Sequence, residues 1–139
     1  MSKTDKAGIY VDAYQLQRLL KRAQYTMTKT DRIIYGTPAL RHNEEFLSSF
    51  AMAYNFPRKR DEYYEKMCAC FEVLKVDLRI IAEENIIKCP DPENAGMKPD
   101  TMKIKIFELV ARIDEGVDKW GRSIEKGKTG TARDAGSSD

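Results

Sequence analysis

The stretch Tyr64–Ile81, YEKMCACFEVLKVDLRII, decides how the rest of the chain is read. Tyr64, Met67, Phe71, Leu74, Leu78 and Ile81 recur at alternating steps of three and four, the period of one face of a helix. Most of the residues between them are charged or small. The result is a heptad-like seam on a long helix, expected over about residues 58–87, and such a seam is buried only against other helices.

The flanking sequence supplies those partners. Before the seam, Leu16, Leu20, Ala23, Met27 and Ile34 predict a helix over about 9–35, with Gly36 as its C′ residue. Thr37-Pro38 reads as an N-cap hydroxyl followed by proline at the first helical position. Leu40, Leu47, Phe50 and Tyr54 then mark one face of a second helix. Phe56-Pro57 ends it, because a residue before proline is pushed out of the helical region. After the seam comes a proline-rich loop at 88–100. Ile106, Leu109, Ile113, Val117 and Trp120 then predict a fourth helix over about 101–125. No stretch reads convincingly as a strand. Four amphipathic helices with mostly short joints predict an all-α protein, an up-down-up-down antiparallel four-helix bundle over 9–125. Residues 1–8 are expected to be a flexible N-terminus, and the small, polar residues 126–139 a disordered C-terminal tail.

The composition fits one such domain. The 139 residues are 33% charged and 42% hydrophobic, with a net charge of +2. That balance is globular, and any electrostatic function has to rest on local charge. No apolar run approaches the ~20 residues of a membrane-spanning helix. Three cysteines, an odd number, and no evident signal peptide lead to the expectation of a reduced, cytoplasmic setting.

Groups for catalysis are scarce. His42 is the only histidine, and it lies beside Asn43, Glu44 and Glu45 in the first turns of a helix. A histidine-rich metal site or a Ser-His-Asp arrangement therefore has little to work with. Cys68 and Cys70 are two apart on a helix and point to different faces, which suits small core-filling thiols. Cys89 is in a loop, with nothing nearby arranged to activate it. Glu83-Glu84 and Asp114-Glu115 lack the Glu-x-x-His of di-iron bundles and read as a solvated face. The glycines at 127 and 130 follow no strand, so they form no phosphate loop. We expect no catalytic residue, no metal and no cofactor.

The strongest charge feature is Arg18–Arg32, RLLKRAQYTMTKTDR, with five basic residues and one acid. On a continuous helix, Arg22, Tyr25, Lys29 and Arg32 fall within about 40° of Arg18. Lys21 and Tyr14 flank them, and the apolar residues take the opposite side. One reading is the charged outer face that any bundle helix needs. The other is a basic face with interleaved tyrosines, suited to phosphate contacts and base stacking. A third is a dock for an acidic protein. Arg58-Lys59-Arg60 and Lys103 with Lys105 add positive charge elsewhere. Trp120, at the end of its stripe, reads as a core residue or an oligomer contact.

Several motifs, in order, carry a resemblance. They are Tyr14-Gln-Leu16, Thr30-Asp-Arg32, Tyr35-Gly-Thr-Pro38, Arg60, Leu74-Lys-Val-Asp-Leu-Arg79 and Val117-Asp-Lys-Trp-Gly-Arg-Ser123. From about Tyr14 to Ser123 the chain resembles the small four-helix-bundle family encoded by intervening sequences in bacterial ribosomal RNA genes. The closer branch is the accessory variability determinants of diversity-generating retroelements. The resemblance implies a non-enzymatic, homopentameric ring with a basic surface that binds RNA or DNA and partners a reverse transcriptase. It would place nucleic-acid contacts at Arg18, Arg22, Lys29, Arg32 and Arg79; the helical wheel adds Lys21 and Tyr25. Arg79, next to the Leu78 seam position, is also placed to pair with an acid at a bundle edge. The 88–100 loop is longer than the tight turns the resemblance implies.

Overall fold

A computed structural model describes residues 7–93 and 96–138, with side chains through Gly127. Four helices dominate: α1 (Gly8–Ala23), α2 (Thr37–Asn55), α3 (Arg60–Glu83) and α4 (Pro99–Ser138). No strand occurs among the described residues; the one β feature is an isolated bridge between Asp91 and Met97. Residues 1–6 of the expected N-terminal segment lie outside the described residues. The backbone of α4 is helical to Ser138, along the stretch read as a tail.

The helices share one core. Met67, Phe71, Leu74, Leu78 and Ile81 of α3 are all buried, as the seam predicts. They meet Phe46 and Phe50 of α2, with the Phe46 and Phe71 ring centroids 5.3 Å apart. Ile9, Ala13, Leu16 and Leu20 of α1 and Met102, Ile106, Ile113 and Val117 of α4 complete it. On α2 the buried face is shifted from the predicted one. Leu40, Leu47 and Tyr54 are half-buried at its flank, while Ala39, Asn43, Phe46 and Ser49 point inward.

The first predicted helix, by contrast, does not run to residue 35. It stops at Ala23, and a 3-10 turn (Gln24–Thr26) leads to an extended Met27 (φ −103°, ψ 154°). The cause is local. The Thr26 hydroxyl donates to the Ala23 carbonyl at 2.6 Å, and threonines that bond nearby backbone compete with helix continuation. Met27 turns inward and is buried. Thr28 then caps a new turn (Lys29–Asp31), its hydroxyl accepting from the Asp31 N–H at 3.2 Å. A π turn (Arg32–Gly36) runs straight into α2. Ile34, predicted to face the core, is therefore 53% exposed. Gly36 is no left-handed C′ residue either, since its φ is −67°. It is needed for space, because a Cβ there would lie 2.8 Å from Met27 Sδ.

Gly121 on α4 has a similar role. A Cβ at that position would land on the Tyr64 hydroxyl, which donates to the Val117 carbonyl at 2.9 Å. Alanine normally stabilises a helix interior relative to glycine by roughly 1 kcal/mol, but overpacking here should cost about 1–3 kcal/mol. We expect Gly121→Ala to lower the urea midpoint. Gly127→Ala, where a Cβ meets nothing within 4 Å, should leave it unchanged or raise it. Equal effects of the two substitutions would overturn this account of Gly121.

Candidate nucleic-acid interface on α1 and α4

The end of α1 at Ala23 breaks the predicted basic stripe into two parts. Arg18 and Lys21 stay on the helix and are exposed, and Arg22 is half-buried. Tyr25, Lys29 and Arg32 lie beyond the helix end, so they share no wheel with Arg18. Tyr25 is 54% exposed, and the Arg22 guanidinium stacks over its ring, 4.7 Å from the centroid. Arg32 turns back and donates from Nε to the Gln24 carbonyl at 3.1 Å. Lys29 is exposed on the added turn. Arg79 stands on α3 and pairs with Glu83 at 2.9 Å.

The structure adds residues that the linear pattern could not. An open groove of about 760 Å³ runs between α1 and α4. Arg18 and Arg22 enter it from α1, and Lys105 and Arg112 from α4. Asp12, Glu93 and Glu108 bring three carboxylates to the same walls. Lys105 therefore joins the α1 charge, whereas Lys103 donates to Asn85 at 3.0 Å. Arg112 is held by Asp12 at 3.3 Å. Arg18, Lys21, Lys29 and Lys105 form no ion pair among the described residues.

Arg22 has a different role from its neighbours. Its Nη2 and Nε donate to Asp91 Oδ1 and Oδ2 at 2.6 and 3.0 Å, and Nη1 donates to Glu93 at 2.9 Å. Asp91 is fully buried and also accepts from the Glu93 N–H at 3.1 Å. The bidentate bond from Arg22 holds the Asp91 carboxyl below its ordinary value, with help from the Glu93 amide and against the cost of desolvation. The same bond pushes the guanidinium pKa up. Arg22 is thus a clasp on the loop before α4, with only its outer N–H groups left for a ligand.

The remaining reactive groups do not converge. Burial pushes both the Cys68 and Cys70 thiols up, away from the reactive thiolate. Cys89 Sγ donates to the Thr26 carbonyl at 3.7 Å. His42 pairs with Asp77 across α2 and α3. Among the described residues no three His, Cys, Asp or Glu side chains are grouped to hold a metal ion, and no helix is long and apolar enough to cross a membrane. Trp120 lies in a ring cluster, 5.2 Å from Phe50, 5.8 Å from Tyr54 and 5.6 Å from Tyr64. No family model matches the chain, and neither a curated protein nor a solved structure matches it.

The clasp makes stability depend on pH with a definite sign. A carboxyl lowered in the folded state contributes fully above its unfolded value, here 3.8. That contribution is lost as pH falls through the folded value below it. Asp91→Asn should therefore be less stable than the parent at pH 7, and the gap in urea midpoint should narrow below about pH 4. A gap that stays constant from neutral pH into that acid range would show that Asp91 does not act through its charge.

Proposed function

We propose that the protein is a non-catalytic accessory that binds nucleic acid through the α1/α4 groove. The observation that carries this reading is the convergence of Arg18 with Lys105 across the two helices, with Lys21 and Lys29 following along α1 and the turn beyond it. Cations left without a carboxylate can release counterions from a phosphate backbone, and the exposed Tyr25 ring offers a stacking surface. The helices run in up-down-up-down order in this reading. Supporting contacts are Ile9 beside Gly116, His42 with Asp77, and Tyr64 with Val117. The resemblance supports the finer parts of the proposal: a homopentameric ring, RNA or DNA as ligand, a reverse transcriptase as partner, and a diversity-generating retroelement as the setting. The three free cysteines accord with a cytoplasmic location. In this reading Trp120, partly buried in its own ring cluster, would contact another copy by the surface that the cluster leaves exposed.

A second reading has one observation of its own. Val11, Leu19, Met97 and Leu109 line the same groove between the cations. Apolar residues flanked by positive charge suit an acidic amphipathic helix laid into the groove. The protein would then be an adaptor without nucleic-acid affinity.

Binding of labelled RNA and DNA across a salt series, with solution mass measured in parallel, separates the two. With three or four phosphate contacts per protomer, log K should fall with log salt at a slope of about −2 to −3 for a single strand. Arg18→Glu with Lys105→Glu should abolish binding while leaving the melting temperature in place. Arg22 is kept intact because it clasps the loop. Undetectable binding at low salt, or binding unchanged in the double variant, would overturn the nucleic-acid reading.

A further inference from the structure

At the other end of the α1/α4 pair lies a second cavity, of about 420 Å³. That is within the range of small-molecule sites. Its walls come from all but one of the four helices. Phe50 and Tyr54 rise from α2 and Trp120 from α4, and Gly8 and Ile9 belong to the first turn of α1. The three rings hold one another at tilted and edge-on angles, with centroids 5.2 to 5.8 Å apart. They therefore form a fixed apolar wall, and a flat ring can stack on or abut it without reorganising the core. Gly8 and Gly116 line the cavity as well. A Cβ added at Gly8 meets nothing within 4 Å, whereas Ile9 already fills the space beside Gly116, where a Cβ would lie 2.9 Å from it.

The polar groups at this cavity lean positive. Arg112 and Lys119 both line it, against one lining carboxylate, Asp12. Among the described residues Lys119 pairs with Glu115, at 3.3 Å between two largely exposed side chains, a weak pairing that an anion can displace. Arg112 is 60% exposed at the side chain and makes a single contact with Asp12. The first turn of α1 adds to the same field, because it carries no acidic residue and no side chain caps it. An aromatic wall with two cations at its mouth selects a ligand with two ends.

We propose that this cavity binds a small flat aromatic anion, its ring against Trp120 and Tyr54 and its carboxylate or phosphate at Lys119 and Arg112. The site is separate from the α1/α4 groove proposed for nucleic acid, although Arg112 and Asp12 border both, and it stands whether or not that reading holds.

Trp120 is the only tryptophan in the chain, so its indole N–H resonance reports on this wall alone. The probe is 1-naphthoate, titrated into the full-length protein and followed by the shift of that resonance and by calorimetry. We expect saturable binding with Kd on the order of 1 mM or tighter. Lys119→Glu should weaken it roughly fivefold, the scale of one partly exposed ion pair. Gly8→Leu, which fills open space without a clash, should block it and leave the melting temperature unchanged or higher. Uncharged 1-naphthalenemethanol should bind more weakly than the acid. No saturable signal, undiminished binding in Gly8→Leu, or equal affinity for the alcohol would each overturn the proposal.

Discussion

The bidentate bond between Arg22 and Asp91 ties together parts of the chain that sequence keeps far apart. A buried carboxylate without a partner is costly enough that it takes up a proton or forces its surroundings open. Asp91 is fully buried, so the loop that carries it can close only where a guanidinium waits. That guanidinium comes from the last full turn of α1. The Asp91 N–H in turn donates to the Met97 carbonyl at 2.9 Å, which folds the loop back before α4 begins. Two further bonds come from the same place: the Lys88 N–H and the Cys89 thiol both donate to the Thr26 carbonyl. The point where α1 ends thus also fixes the path of the chain between α3 and α4.

This dependence explains why the break after Ala23 is more than a frayed helix. If α1 continued to residue 35, the Thr26 carbonyl would be committed within the helix and lost to the loop. The run Thr26-Met27-Thr28 removes that option. One threonine bonds backward to Ala23, Met27 fills the space that Gly36 leaves open, and the next threonine caps the following turn. The signal was present as Thr28-x-x-Asp31, a threonine three residues before an acid that marks a helix start inside an apparent helix. Apolar periodicity overrode it, because Met27 and Ile34 continued the spacing by coincidence while the chain between them turned.

The α3 seam was legible because all of its contacts are apolar and on one face, so periodicity alone locates it. On α2, hydrophobic spacing misplaces the face by part of a turn because two of its inward residues, Asn43 and Ser49, are polar. Asn43 is buried, its Nδ2 donating to the Ala13 carbonyl and to Gln17 Oε1, and its Oδ1 has no partner among the described residues. Hydrophobic spacing assigns such a residue to the surface. The cavity beside Trp120 was equally hidden, since it requires α1, α2 and α4 to be placed together. Arg22 illustrates the general limit. Nothing in RLLKRAQYTMTKTDR tells that one of its five cations is spent on a carboxylate 69 residues away.

That loss bears directly on how charge should be counted. The net value of +2 averages over cations with very different availability. Arg22, Lys75, Arg79 and Arg112 are held by carboxylates of the same chain, and each would have to exchange one partner for another to bind phosphate. Arg18, Lys21, Lys29 and Lys105 would not. At the α1/α4 groove and the turn beyond it, these four bring the entropic gain of counterion release without an internal cost. A handful of such cations per chain supports weak, salt-sensitive contact with a polyanion. Tight binding at this surface therefore requires several copies acting on one strand, where effective concentration multiplies the small contribution of each.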